Sequence, residues 1–168
     1  QNGIYKLDLK GTDSKITFYD VKDGLANNHI NCLLTDENGL IYAGTQSGLS
    51  IFRDNKWETT SLKDAEGKSL DDICVSSLFY EDKTLWIGTL DKLLKYNETK
   101  GYFENVKSSN GLHFSVIRSI YVDENSLWVG TSAGLIQIRK SDGTTVEEYR
   151  STIVKEPFME PSVSNIVF

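Results

Sequence analysis

A short motif that recurs at a nearly constant interval limits the possible folds more than any other feature of this sequence. Three apolar residues precede a Gly-Thr pair in each copy, and the pairs begin at Gly44, Gly88 and Gly130, which are 44 and 42 residues apart. Each copy follows one apolar run and precedes two further runs of strand-like composition. A repeat of this length with four short strands is typical of a β-propeller blade. The sequence therefore predicts an all-β fold of four-stranded antiparallel meanders.

The repeat also predicts the organisation of the chain. Within a blade we expect strand a, a polar turn, strand b, a tight turn, strand c, a hairpin and strand d. The predicted pieces of this one β-propeller domain are strands c and d over 1–23, blades over 24–62, 63–107 and 108–150, and a linker with the next strand a over 151–168. The whole amounts to about 3.75 blades of an incomplete propeller.

With this number of blades, the first and the last blade each lack a neighbour on one face. Propellers protect their strand edges and apolar faces by closing the ring. We therefore expect the remaining blades of a longer polypeptide, or a second copy of the chain in a homodimer, to cover the outermost blades. A contiguous apolar patch of several hundred Å² is more than most soluble monomers expose.

Several residues have structural roles that their place in the repeat explains. A large aromatic residue in strand b fills the space between blades, and a glycine two positions later lets a neighbour approach closely. The residues assigned to these two roles are Tyr42, Trp86 and Trp128, and Gly44, Gly88 and Gly130. Asp36, Asp82 and Asp123 recur in the a–b turns and are expected to cap them. Lys92 stands where the other b–c turns have glycine, so that turn is expected to differ in shape.

The repeat resembles the two-component regulator propeller repeat. Leu-Trp-(Ile/Val)-Gly-Thr followed by Gly-Leu is the pattern that carries the resemblance, and it is clearest over 38–52 and 126–138. The approach to strand a, Asp-Gly-Leu-Ala-Asn-Asn-His-Ile-Asn over 23–31, is similar to the same family. The likeness covers essentially the whole chain, with departures in the linkers 63–73 and 151–162.

This resemblance implies a function. Members of the family carry such blades in the periplasmic sensor half of hybrid two-component systems, and many sense oligosaccharides. The chain is accordingly expected to be a non-catalytic, ligand-sensing part of a periplasmic ectodomain of an inner-membrane protein, with the histidine kinase elsewhere in the full-length protein. Two alternatives stay open: a lyase or hydrolase propeller, and a structural or protein-docking module.

Candidate ligand contacts lie in the linkers. The d–a and b–c connections of a blade meet on one face, commonly the ligand face. Side chains that break the repeat there are Asn28, His29, Gln46, His113, Phe114 and Arg118. Phe114 offers an aromatic platform, and Arg118 could recognise a carboxylate or sulfate or form an ion pair with a nearby acid.

Composition argues against other classes of partner. A net charge of −6, with acids and bases mixed along the chain, does not favour nucleic acid or direct membrane contact. The two histidines lack a third metal ligand at readable spacing, so no metal or cofactor is expected. Cys32 and Cys74 are expected to be free, mostly buried thiols.

Overall fold

The computed structural model describes residues 2–10, 13–97, 100–106, 114–141 and 145–150. Within these ranges the chain forms fourteen strands and one short 3-10 helix. The strands make one two-stranded sheet and three four-stranded antiparallel sheets. The prediction of an all-β fold of propeller blades is confirmed.

The first sheet, sheet I, pairs β1 with β2. Its strands are β1 (Ile4–Lys10) and β2 (Asp13–Tyr19), and the 3-10 helix (Val21–Asp23) follows directly. The Asp20 side chain accepts from Lys22 N, and the Asp23 side chain accepts from Asp20 N, which forms a capping box. This turn fixes where the chain leaves β2 and enters the next sheet.

The other three sheets are meanders whose strand order follows the chain. Sheet II contains β3 (Ile30–Thr35), β4 (Ile41–Thr45), β5 (Leu49–Arg53) and β6 (Lys56–Thr60). Sheet III contains β7 (Ser77–Glu81), β8 (Thr84–Gly88), β9 (Leu93–Asn97) and β10 (Tyr102–Asn105). Sheet IV contains β11 (Ile117–Val122), β12 (Ser126–Thr131), β13 (Gly134–Arg139) and β14 (Thr145–Arg150).

The core lies in the seams between successive sheets, because each sheet has apolar side chains on both faces. Leu25, Ala43 and Trp57 are buried between sheets I and II. Tyr42, Leu49, Val75, Leu85, Ile87 and Phe103 belong to the cluster between sheets II and III. Trp86, Leu93, Ile117, Ile120, Val122 and Val129 belong to the cluster between sheets III and IV.

The glycine of strand b allows this close stacking. A Cβ placed on Gly44 would lie 2.5 Å from Val75 Cγ1, and a Cβ on Gly88 would lie 2.5 Å from Ile117 Cγ2. Val75 and Ile117 stand at the same place in consecutive sheets, at the start of strand a. A side chain at either glycine would therefore push the next sheet away.

Backbone and side-chain hydrogen bonds cross both seams near strand a. Val75 N donates to Thr45 O at 2.9 Å, and Ile117 N donates to Thr89 O at 3.0 Å. Side chains reinforce the same joints: Asn31 Nδ2 donates to Val75 O at 2.9 Å, and Ser76 Oγ donates to Ile117 O at 2.5 Å. Sheets II, III and IV are thus tied together along their inner strands.

The b–c turns are alike despite the substitution at Lys92. The hydroxyl of the threonine that ends strand b donates to the carbonyl three residues later, from Thr45 to Gly48, Thr89 to Lys92 and Thr131 to Gly134. Gly48 and Gly134 have φ of +96° and +138°, whereas Lys92 has no positive φ. The expected difference appears in this dihedral angle and in the acceptor of the backbone N–H: Lys92 N donates to Thr89 Oγ1 at 2.8 Å, whereas Gly48 N donates to Ile73 O at 2.7 Å.

Trp86 and Trp128 occupy equivalent positions but are buried to different degrees. Trp86 pairs across the sheet with Phe79, and Trp128 pairs with Tyr121. Trp86 is 5% exposed, because sheet IV covers it. Trp128 is only half-buried and stacks on Tyr149, with ring centroids 6.3 Å apart.

Candidate functional site

The d–a linkers and the b–c turns meet on one edge of the sheets, which we call the linker face. Gln46 N donates to His29 O in sheet II, and Ser132 N donates to Val116 O in sheet IV, both at 3.0 Å. Gly48 N donates to Ile73 O at 2.7 Å, which joins the b–c turn of sheet II to the linker that enters sheet III. The linkers and turns of neighbouring sheets therefore form one continuous surface.

His29 and Gln46 are brought together on this surface. Both side chains are exposed. Gln46 Oε1 accepts from Cys74 Sγ at 3.8 Å, so the amide lies over the joint between sheets II and III. Asn27 Oδ1 accepts from His29 N at 2.8 Å and fixes the backbone that carries the imidazole. These two side chains could hydrogen-bond to a polar ligand.

Asn28 has a structural contact as well. Its side chain is half-buried, and its Oδ1 accepts from Val21 N at 2.9 Å, which ties the linker to the 3-10 helix. The amide nitrogen and the second acceptor site of Oδ1 are left to contact a ligand. That Asn28 contributes to binding stays a prediction.

The prediction that Phe114 offers a platform on the linker face is wrong. Its side chain is 6% exposed and belongs to the apolar cluster between sheets III and IV. Burial of this ring stabilises the joint between the two sheets. His113, the neighbouring candidate, lies outside the described residues.

Arg118 occupies an informative position on β11. It lies where sheets II and III carry Asn31 and Ser76, whose side chains donate to the following sheet. The Arg118 side chain is exposed, and no hydrogen bond or ion pair joins it to any other residue in the described ranges. The described residues therefore provide no ion-pair partner for Arg118. Its guanidinium group is accessible to a ligand or to the following blade.

The two thiols lie beneath this face. Both are free and half-buried, which makes them less buried than expected. Burial raises the pKa of the Cys32 thiol to about 12, so it is protonated at neutral pH. Asn31 Nδ2 approaches Cys74 Sγ at 3.5 Å. The cluster of Asn31, Gln46 and Cys74 was not predicted as a unit, because its members come from two different sheets.

The aspartates of the a–b turns lie on the edge of the sheets opposite the linker face. Asp36 Oδ1 accepts from Asn38 N and Leu40 N, both at 2.9 Å, and Oδ2 accepts from Tyr42 Oη at 3.2 Å. Burial first, and then the Asp36 carboxylate, raise the pKa of Tyr42 to about 12. Asp36 thus caps its turn as expected, with every oxygen engaged.

Asp123 repeats this arrangement and Asp82 does not. Asp123 Oδ1 accepts from Asn125 N and Ser126 N, and the Trp128 indole holds the pKa of this carboxyl below its usual range. Asp82 and Lys83 have φ of 47° and 60°, so they form the two-residue turn of a tight hairpin. The expectation that Asp82 caps its turn is wrong, because this hairpin is shorter.

Within the described ranges, no three His, Cys, Asp or Glu residues lie together as a metal-binding group. In the same part of the chain, no helix is long and apolar enough to cross a membrane.

Stacked four-stranded sheets with a shared linker face define a β-propeller segment of the repeat class. Residues 24–47 match the family model described as "Two component regulator propeller", so the chain carries a repeat of this family, as the sequence predicted. No curated protein matches the chain.

Solved structures agree with this result. The chain is 25% identical to the extracellular domain of BT4673 from B. thetaiotaomicron, described as a hybrid two component system, with a TM-score of 0.76 over 99% of this chain and 22% of that one. A second structure of BT4673, described as a one component system, is 26% identical, with a TM-score of 0.69 over 89% of this chain and 20% of that one. The extracellular domain of BT3049, from the same organism, is 19% identical and shares the fold, with a TM-score of 0.65 over 94% and 22% of the two chains. This chain spans about a fifth of the length of these relatives.

Proposed function

We propose that this chain is a non-catalytic, ligand-binding segment of the periplasmic sensor half of a two-component signalling protein of the hybrid type. The observation that carries the proposal is the convergence of linkers and turns on one face, with the side chains of His29 and Gln46 exposed there and that of Arg118 exposed at the start of β11. Extracellular domains of such systems with the same fold support it. Loops held by a rigid scaffold are common places for binding.

The ligand in this proposal is an oligosaccharide. Amide, imidazole and guanidinium groups supply both donors and acceptors for sugar hydroxyls. The likeness to a sensor family points to the same ligand class. His113 completes the proposed set from the sequence.

Binding of defined oligosaccharide pools, measured by calorimetry, tests this proposal. Gln46→Ala and Arg118→Ala should each weaken binding about tenfold, because each removes hydrogen bonds from a partly desolvated contact. Glu124→Gln, an exposed change in an a–b turn, is the control and should leave binding unchanged. Equal affinity in all three variants would rule out the linker face as the binding surface.

A second part of the proposal concerns the exposed face of sheet I. Tyr5, Leu7, Leu9 and Ile16 are 59%, 54%, 76% and 67% exposed. Leu7 pairs with Ile16 across the two strands, so these apolar side chains form one patch. Another blade, from the same polypeptide or from a second copy, would cover this patch as each sheet covers the next.

A further inference from the structure

A groove in the seam between sheets II and III is separate from the linker residues discussed above. It has a volume of about 320 Å³. Sheet II contributes Tyr42, Ile51 and Arg53, and sheet III contributes Tyr80, Tyr96 and Phe103. Lys63 and Lys83 line it from the connection between the sheets and from the a–b hairpin of sheet III. Cavities of this size accept a molecule with a single ring.

The walls of the groove are aromatic. The Tyr42 and Tyr80 rings stack across the seam, with centroids 6.4 Å apart and planes 22° apart. The Tyr96 and Phe103 rings lie 4.9 Å apart on the sheet III side. Flat apolar walls of this kind pack against the face of a ring.

The charges of the groove are opposite in sign to those of the whole chain. Arg53, Lys63 and Lys83 are exposed, and no ion pair joins any of them to another described residue. Among the described lining residues, Asp36 is the one acid, and its oxygens are used by its own hairpin and by Tyr42. The described part of the lining thus carries three cations and no free carboxylate, in a chain whose net charge is −6.

Three aligned positions distinguish this seam from the next one. Between sheets III and IV, Trp86 takes the position of Tyr42 and Val122 takes that of Tyr80, and both are buried. Lys95 lies over the Trp86 ring at 5.2 Å, where sheet II has Ile51. The seam between sheets II and III has the smaller Tyr42 ring at the position of Trp86, and the Tyr42 hydroxyl donates to Asp36.

We infer that this groove binds a small organic carboxylate with a ring, which stacks against the tyrosines while its carboxylate pairs with Arg53 and Lys63. Arginine recognises carboxylates through paired hydrogen bonds, and a neighbouring lysine adds charge. The ring could be a sugar, as in a uronate, or aromatic, as in an arylacetate. The inference does not rest on the proposed function of the linker face.

Titration of the 168-residue chain with glucuronate and phenylacetate, followed by backbone amide NMR shifts and calorimetry, tests the inference. Binding of either compound with shifts confined to the lining segments 36–42, 51–53, 60–63, 80–85 and 101–103 and to Tyr96 supports it, and the preferred compound identifies the kind of ring. Glucose and 2-phenylethanol, which lack the carboxylate, and acetate, which lacks the ring, should each bind at least about tenfold more weakly.

Variants of selected side chains distinguish binding in the groove from a general effect of the net charge. Arg53→Gln with Lys63→Gln should weaken binding at least about tenfold, whereas Lys15→Gln with Lys22→Gln makes the same charge change elsewhere and should not. Tyr42→Trp should abolish binding without unfolding the chain, because Trp128 shows that an indole at this position can donate to the turn aspartate. The amide NMR spectrum of the Tyr42→Trp variant shows independently whether the chain is folded.

Any of three results would overturn the inference: no binding by either carboxylate, equal loss in the two double variants, or shifts on the linker face alone. Amide shifts on the linker face alone would be compatible with the proposed function but would refute the groove as a binding site. Amide shifts in the groove alone would support the groove as a binding site, whatever the role of the linker face.

Discussion

The indole of Trp128 donates its Nε1–H to the Asp123 carboxylate at 2.8 Å, across the hairpin that joins the first two strands of sheet IV. Tyr42 and Asp36 are joined in the same way in sheet II. The repeat therefore couples an aromatic residue that packs between sheets to an acid that closes a turn. In sheet III the shorter hairpin leaves Trp86 without an equivalent aspartate.

We expect Asp123→Asn to lower stability by about 1 kcal/mol at neutral pH, because a charged acceptor of three hydrogen bonds is replaced by a neutral one. The pKa of Asp123 is lowered in the folded state. Its contribution is therefore present above the unfolded pKa and disappears as the pH falls through the folded value. Urea unfolding at neutral pH and at a series of acidic pH values should show that the stability difference between variant and parent becomes smaller as the pH falls. Asp82→Asn is the control, and identical pH profiles for the two variants would contradict the assignment.

Gly44→Ala should destabilise the chain by about 1 to 3 kcal/mol, because the new methyl group would overlap Val75 Cγ1. Val75→Ala removes that atom and should recover part of the loss in the double variant. Unfolding free energies of the parent, both single variants and the double variant form a cycle that measures this coupling. Simple additivity would contradict the overlap with Val75 and would leave Cys32 Sγ, which lies 2.5 Å from the same Cβ position, as the atom that requires glycine here.

Cys32 should react slowly with a thiol reagent, and its rate should rise about tenfold per pH unit from pH 7 to 10, because its pKa of about 12 lies above that range. The Cys74→Ser variant isolates Cys32 for this measurement, and Cys32→Ser isolates Cys74. A plateau below pH 10 in the Cys74→Ser variant would mean that Cys32 is less shielded than the structure indicates.

The isolated chain should self-associate through sheet I at high concentration. Leu9 and Ile16 are the most exposed apolar side chains of that sheet, so Leu9→Lys with Ile16→Lys should shift the population towards monomer in light scattering. Lys15→Gln changes the same sheet without removing apolar surface and serves as the control. A parent chain that is strictly monomeric would show that this patch is covered in another way.

The strands were predictable because the repeat places chemically similar residues at equal intervals. Gly44, Gly88 and Gly130 pair with Cys32, Ser77 and Ser119 at the same position of their sheets, so the three copies share one register. Local composition and periodicity determine such positions. Their prediction needs no knowledge of distant contacts.

The candidate site could be predicted only in part, because the burial of a linker side chain depends on where it lies relative to the seam between two sheets. Phe114 lies in a linker and is expected to be accessible, yet neighbours from two sheets enclose its ring. The groove beside Tyr42 escaped prediction for a related reason. It combines aromatic side chains from two sheets with cations from distant parts of the sequence.

The bonds from Asn31 to Val75 and from Ser76 to Ile117 restrain the inner strands at two seams. Further out, Phe103 N in β10 donates to Lys63 O at 2.9 Å, so the seam between sheets II and III has a second polar restraint near its outer strands. If a seam opened about its inner joint, each sheet would act as a lever about 14 Å long, from three strand spacings of about 4.8 Å. A rotation of about 5° at such a joint would move the outermost strand by about 1 Å. Small changes in the width of a seam would therefore become measurable displacements at the periphery.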